Sequence, residues 1–307
     1  MSDLAIECRG LTKRYGSVLA LDGLDLEVPP RVVFGFLGPN GAGKTTTMKI
    51  LAGLISATAG QAYLAGSPVS PRDPTSRQRV GYLPEDPSFY GWMTAREYLE
   101  FVGRLVGLQG RELRRRAEEL VELVDLKEAA KRRVGGFSRG MRQRLGIAQA
   151  LVGRPDVLLL DEPSSALDPL GRRDVLALIE RLAGETSVFM STHILADVER
   201  VCQQVAIISQ GRLVAQADQD ALRQRYATPV FEIEATGPLD DLAGRLRGLG
   251  WVSRVHVDGH LLRLTARDEL AARRELPQVA ASLGERLLRY QQVRPTLEDV
   301  FARLVGA

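Results

Sequence analysis

The sequence is poor in cysteine and histidine. Its two cysteines, Cys8 and Cys202, stand far apart in 307 residues, and two thiols do not make the disulfide framework of a secreted domain. The three histidines, His193, His256 and His260, form no His/Cys set with zinc spacing. Long apolar runs are missing as well. No stretch approaches the ~20 residues of a membrane span, and Val157 to Leu160 runs straight into Asp161 and Glu162. Membrane association is therefore expected through another chain. Met1-Ser2-Asp3-Leu4 carries no basic, apolar leader. An excess of one charge is absent too: 41 basic against 38 acidic side chains leave a net +3. That balance gives no global reason to expect nucleic acid or an anionic membrane as partner. What remains is an ordinary globular composition, 45% hydrophobic and 26% charged, long enough for one large domain or two smaller ones. A reducing, cytosolic compartment fits it.

The apolar pattern divides the chain. Leu4 to Cys8 reads as a short strand, followed by a turn-rich stretch with Tyr15-Gly16 and Asp22-Gly23. Leu24, Leu26 and Val28 alternate with acids as a half-buried strand does. Val32 to Leu37 is an apolar run that enters a glycine-rich loop, and Thr45 to Leu54 reads as a helix. From Thr94 to about Ala150 the pattern is helical, opening with the capping-box form Thr94-Ala95-Arg96-Glu97. Strands and helices then alternate from Val157 to Ser209, which implies a mostly parallel sheet covered on both faces. Ligands of such sheets gather at the carboxyl ends of the strands. Past a polar stretch around Ala217 to Thr228, the order βαββαβ predicts a ferredoxin-like unit, with Asp258-Gly259 as its hairpin turn. The expected organisation is an α/β domain over 1–220, with a helical insert at about 86–153, and an accessory domain over 228–307.

Residues Gly38-Pro39-Asn40-Gly41-Ala42-Gly43-Lys44-Thr45-Thr46 match G-x-x-x-x-G-K-[ST]. Glycines let the backbone curl so that successive N–H groups face phosphate oxygens, at a helix start with partial positive charge. Lys44 would reach the β- and γ-phosphates, the Thr45 hydroxyl would ligate Mg²⁺, and Thr46 would add a hydrogen bond. The match lies between an apolar strand and a helix, as the chemistry requires. A nucleotide with Mg²⁺ is the expected ligand.

Val157 to Leu160 ends in Asp161-Glu162-Pro163. Alone this is a core strand with solvated acids at its exit. Beside a phosphate loop it becomes specific: Asp161 would hold Mg²⁺ and Glu162 would polarise the attacking water as general base. Alternation along a strand would give the two acids different directions. Phe137-Ser138-Arg139-Gly140-Met141-Arg142 has a good N-cap in Ser138, and taken alone describes a capped basic surface helix.

In order and spacing, these motifs resemble the ATP-binding subunit of ABC transporters over roughly the first 220 residues. Gly38 to Thr46 is similar to Walker A, Val157 to Glu162 to Walker B, and Ser138-Arg139-Gly140-Met141-Arg142 to the LSGGQ signature. Ser165-Ala166-Leu167-Asp168 resembles the D-loop, Ser191-Thr192-His193 the switch histidine, and Tyr15 the aromatic that stacks on adenine. The resemblance implies a phosphate-loop NTPase fold with a helical insert. It implies ATP hydrolysis in a dimer of ATPase subunits, most simply a homodimer. Ser138 to Met141 would act on the partner's ATP, Asp168 in the D-loop, and His193 on the γ-phosphate. A transmembrane permease would be the other partner, with this subunit peripheral on the cytoplasmic face of the cell membrane and no nucleic acid involved.

Two positions depart from the wider family. Glu85, in Gly81-Tyr82-Leu83-Pro84-Glu85, replaces a usual glutamine, and can still ligate Mg²⁺ but not donate as an amide. Arg139 and Met141 alter the signature. Both variants, and Pro295-Thr296-Leu297-Glu298-Asp299-Val300-Phe301, are similar to those of the drug-export branch typified by daunorubicin-resistance ATPases. Phe89, Tyr90, Trp92 and Met93 read either as core of the helical insert or as a groove for the permease. Arg114-Arg115-Arg116 reads as a solvated helix face. Two other classes compete: a soluble ATPase acting on nucleic acid or ribosomes, and a regulatory module without turnover. A single phosphate loop without sustained heptads weakens the first, and retention of Lys44, Asp161, Glu162 and His193 weakens the second.

Overall fold

The computed structural model describes residues 4–73, 77–226, 229–293 and 296–305; Met1 to Asp3, Thr228 and Pro295 lie outside them. The chain forms two compact units, Met1–Gln219 and Asp220–Ala307.

The first unit holds two sheets. One has the order β2-β1-β4-β5, built from β1 (Ile6–Tyr15), β2 (Val18–Val28), β4 (Ala59–Leu64) and β5 (Ser67–Pro68). The Tyr15-Gly16 turn and the alternation of Leu24, Leu26 and Val28 stand as read, and two other features change. The strand read as ending at Cys8 continues to Tyr15. Asp22-Gly23, read as a turn, lies inside β2. The pairing shifts there from Leu11↔Leu24 to Lys13↔Leu21, with Gly23 at φ 65°. The Asp-Gly signal thus marks a β-bulge, where one extra residue in the left-handed region bends the strand.

The second sheet has the order β10-β9-β3-β8-β7-β6. β3 (Val33–Leu37), β6 (Val80–Leu83), β7 (Val157–Asp161), β8 (Ser187–Thr192) and β9 (Gln204–Ser209) run parallel, and β10 (Arg212–Asp218) turns back antiparallel on β9. β3, β7 and β8 are buried at every position, as strands covered on both faces must be. Phe34 and Phe36 pack on Phe189 across the β3–β8 pair, with ring centres 5.6 and 5.2 Å apart. Gly81 belongs to β6, a strand the apolar pattern does not announce, and a Cβ there would meet the Ala150 carbonyl oxygen at 2.1 Å. The end of β10 and the helix Gln219–Tyr226 fall in the stretch that reads as polar punctuation.

Three longer helices follow β6: Ala95–Leu105, Gly110–Leu123 and Arg139–Leu151. Thr94 and Glu97 form both arms of the predicted capping box. Of the basic run, Arg114 and Arg115 are exposed, but Arg116 turns inward. Its guanidinium donates to the Leu151 carbonyl at 2.5 Å and the Val152 carbonyl at 3.4 Å, and so supplies partners to the orphan carbonyls at a helix end.

The second unit runs β11 (Val230–Ala235), helix Asp240–Arg247, β12 (Val252–Asp258), β13 (Leu261–Ala266), helix Glu269–Ala281, β14 (Leu287–Val293) and helix Leu297–Val305. Its antiparallel sheet has the order β12-β13-β11-β14, which is the ferredoxin-like arrangement. Phe231, Ile233, Leu262 and Leu264 of the sheet pack on Leu242, Leu246 and Leu276 of the helices.

Candidate ATP site

Four adjacent parallel strands, β3, β8, β7 and β6, end at one edge of the sheet, and each delivers a predicted residue there. The loop after β3 leads into the helix Lys44–Leu51. Gly43 is the N-cap, with φ 109°, no side-chain cap and no acid in the first turn. Its helix start therefore presents free backbone donors and a positive dipole end, the requirement for holding phosphate. A Cβ on Gly43 would lie 2.7 Å from the Ala20 carbonyl oxygen, and one on Gly38 would lie 2.5 Å from that of Ile208. These two positions leave no room for a side chain.

Lys44 is buried, although lysine is rarely so. Its ammonium donates to the Gly38 carbonyl at 2.8 Å and the Pro39 carbonyl at 3.3 Å, and lies 3.4 Å from Glu162 Oε1. Asp161 is the last residue of β7 and stands beside Ser191 in the β7–β8 register. The Ser191 hydroxyl donates to Asp161 Oδ1 at 2.6 Å, and the Thr45 hydroxyl donates to the same oxygen at 3.3 Å. Burial first, then the Asp161 carboxylate, pushes the neighbouring Tyr82 phenol well above its ordinary range.

Glu162 lies just past the strand at φ 50°. Pleat alternation therefore does not set its direction; a left-handed backbone does. Its N–H donates to the backbone oxygen and the hydroxyl of Ser191, both at 3.1 Å. The buried carboxylate meets Lys44 with one oxygen and His193 Nδ1 with the other at 2.9 Å. A carboxylate only accepts, so the hydrogen of that contact sits on Nδ1. The ring itself is half exposed.

Tyr15, Pro39 to Thr46, Glu85, Glu162 and His193 line one pocket of about 410 Å³, together with Ala20. The Tyr15 ring is exposed on this side, with Lys13 Nζ 4.9 Å from its centre. Gly38 and Asp161 sit directly behind the lining through their contacts with Lys44 and Thr45. Ser138, Arg139, Gly140, Met141 and Asp168 do not join this pocket. They line a separate hollow of about 350 Å³ with Leu170 and Gly171. Ser138 caps the helix Arg139–Leu151 by accepting from the Met141 N–H, and Asp168 caps Pro169–Leu182 by accepting from the Gly171 N–H. A larger cavity of about 1060 Å³ lies at the opposite, N-terminal ends of β7 and β8 and holds none of the predicted residues. Sequence reasoning missed Ser191, Tyr82 and Ala20 as parts of the site. Only Ser191 had a signal, its place two residues before His193.

A family model described as ABC transporter matches residues 21–165. A second, described as ATP-binding protein DrrA1-3-like, C-terminal domain, matches residues 218–305. An uncharacterized ABC transporter ATP-binding protein, YxlF of Bacillus subtilis, is 40% identical over 99% of this chain and 100% of its own length. This chain belongs to the ATP-binding subunits of ABC transporters. A daunorubicin-resistance ATP-binding protein of Streptomyces coeruleorubidus is 36% identical over 100% of this chain and 96% of its own. A solved ATP-binding subunit of an ABC transporter superposes with a TM-score of 0.65 at 29% identity, covering 79% of this chain and 99% of that one. No helix among the described residues is long and apolar enough to cross a membrane.

Proposed function

We propose that two copies of this subunit close head to tail around ATP and drive export through a separate membrane permease. One observation carries the reading. The phosphate loop and the Lys44–Glu162–His193 cluster share one pocket, while Ser138 to Met141 and Asp168 line another. Residues of the signature therefore meet a nucleotide only if a second copy brings its phosphate loop to them. Closure would then depend on ATP, and hydrolysis would release it. The name of a further relative, a Nod factor export ATP-binding protein of Cupriavidus pinatubonensis at 35% identity, supports export as the direction.

Within the pocket, the Gly41 to Thr46 backbone would hold the phosphates and Tyr15 would stack on the adenine. Lys44 would exchange its loop carbonyls for phosphate oxygens. Glu162, oriented by His193 and the Ser191 contacts, would take the proton of the attacking water. Thr45, Asp161 and Glu85 are hard oxygen donors at the phosphate end. Mg²⁺ is usually held by one or two carboxylates plus phosphates and water, so this donor set fits it, and the ion would neutralise developing charge there. The exposed Tyr90 and Trp92, with Phe101 against Tyr90 at 5.6 Å, would receive the permease at the cytoplasmic membrane face. Arg139, exposed at the signature, would add positive charge near the partner's phosphates. The second unit would contact its twin.

The test is Mg-ATP turnover by the purified chain and by Glu162→Gln, with dimerisation followed by light scattering. The variant is expected to lose on the order of a hundredfold or more in turnover and to form ATP-dependent dimers that persist. Equal turnover by both proteins removes Glu162 as base.

A further inference from the structure

Contacts join the chain leaving β7 to the chain leaving β8 in a short ladder. Glu162 reaches Ser191 and His193, as described above. One rung further out, the ATPase reading uses nothing. There Asp197 is fully buried in the helix Leu195–Val201, four residues after His193. One of its oxygens accepts from the buried Ser164 hydroxyl. The other accepts from Arg172 Nε at 2.5 Å. Ser164 stands two residues past Glu162, and Arg172 lies on the helix that Asp168 caps.

A single carboxylate thus ties three segments: the exit from the Glu162 turn, the helix behind Asp168, and the helix behind His193. Burying a carboxylate is unfavourable unless its oxygens are matched, and apolar packing often holds helices together at least as well. Packing alone leaves sliding open. Directed hydrogen bonds from Ser164 and Arg172 fix the distance and orientation of the segments. The two hollows of this subunit are joined through this buried point: Gly171, one residue before Arg172, lines the signature hollow, and His193 lines the ATP pocket.

We propose that Asp197 is a positioning residue for hydrolysis, which locks the Ser165–Asp168 turn to the His193 loop so that engagement of the signature hollow aligns His193 on Glu162. The inference rests on the ATPase reading given above. It differs from that reading in assigning a role to a residue that touches neither nucleotide nor water.

The full-length chain carrying Asp197→Asn, Arg172→Ala, Arg172→Lys, His193→Ala and the His193→Ala/Asp197→Asn pair provides the test, with kcat, ATP affinity and thermal midpoint measured for each. Asp197→Asn should lower kcat on the order of tenfold, as loss of a partner behind a reactive group commonly does. ATP affinity of the unengaged chain should stay within about twofold of the parent, because ground-state binding is untouched. Arg172→Ala should follow the same pattern and Arg172→Lys should recover much of the rate. In the His193→Ala background, Asp197→Asn should change kcat by less than about twofold, since residues acting as a unit are not additive. Equal losses in both backgrounds, or a fall in affinity that matches the fall in kcat, overturn the proposal. If Asp197→Asn does not fold, the cycle of Arg172→Ala with His193→Ala decides in the same way. Unchanged turnover in His193→Ala alone sinks the site assignment itself, and the proposal with it; additivity beside a slow His193→Ala sinks only the proposal.

Discussion

The two units bury different kinds of side chain. In the first, Lys44, Asp161, Glu162, Ser164, Ser191, Thr192 and Asp197 are all buried, and they gather where β7 and β8 end. In the second, every buried side chain among the described residues is apolar. Its charges pair closer to solvent, as Arg263 does with Asp299 at 2.9 Å. Burying polar groups lowers stability unless each is matched. The first unit also holds Glu162 at φ 50°, a backbone state that costs on the order of 1–3 kcal/mol for a residue with a side chain. The buried polar cluster departs from ordinary core packing in the first unit; the second, though Pro277 lies inside its helix Glu269–Ala281, buries no such cluster among its described residues. Such departures concentrate at functional sites, so the contrast locates the chemistry without reference to any relative.

The contrast can be broken experimentally. Its largest expected effect is in the second unit: Phe231→Ala should destabilise that unit by about 3–5 kcal/mol, the usual cost of emptying a buried aromatic site. Denaturant melts should show it, and ATP affinity should not move. A parallel loss of ATP affinity would show that the units do not stand apart. Removing the residues after about Thr228 sharpens the same point, and should weaken dimerisation while sparing monomer affinity for nucleotide; equal dimerisation by the truncated chain would refute it.

Next in size is Lys44→Ala, expected to weaken ATP binding by about 1.5–3 kcal/mol, the range for hydrogen bonds to charged groups. Calorimetric titration measures it, and unaltered affinity would remove Lys44 from the phosphate site. Thr94→Ala deletes one arm of a capping box that does not line the ATP pocket. It should cost ~1 kcal/mol of stability with turnover per folded molecule unchanged.

The smallest effect is an expected silence. Burial pushes the Cys8 thiol up to about 12, and burial followed by Asp197 raises that of Cys202. Desolvation disfavours the thiolate, the reactive form. Both cysteines are free and buried, so a thiol-specific reagent at pH 8 should label neither in the folded chain and both after denaturation. Rapid labelling of Cys202 in the folded chain would mean that the His193–Asp197 region opens.

Much of the first unit was legible because its signals are local. A phosphate loop needs glycines, lysine and a hydroxyl at fixed spacing, and those needs are written in consecutive residues from Gly38 to Thr46. Thr94 and Ser138 are likewise short-range devices, and each stands where the pattern places it; the hairpin expected at Asp258-Gly259 turns one residue later, on Gly259-His260, because Asp258 pairs with Leu261. β6 was not legible, since Gly81 is required by the Ala150 carbonyl 69 positions away in sequence (150 − 81). Asp22-Gly23 misled because the same dipeptide serves a turn or a bulge, and only the pairing of β1 with β2 decides between them.

The sequence by itself determined the covalent vocabulary of this protein: the glycine-rich loop, the paired acids after an apolar strand, the helix caps, and the alternation that separates a parallel sheet from an antiparallel one. These follow from chain geometry over a few residues, which every copy of the motif shares. Tertiary structure alone decided which groups meet. Register puts Ser191 beside Asp161, a left-handed turn aims Glu162 at Lys44 and His193, and Asp197 finds Ser164 and Arg172. Those partners lie far apart along the chain, and their encounter depends on how the strands and helices pack, which no local pattern encodes.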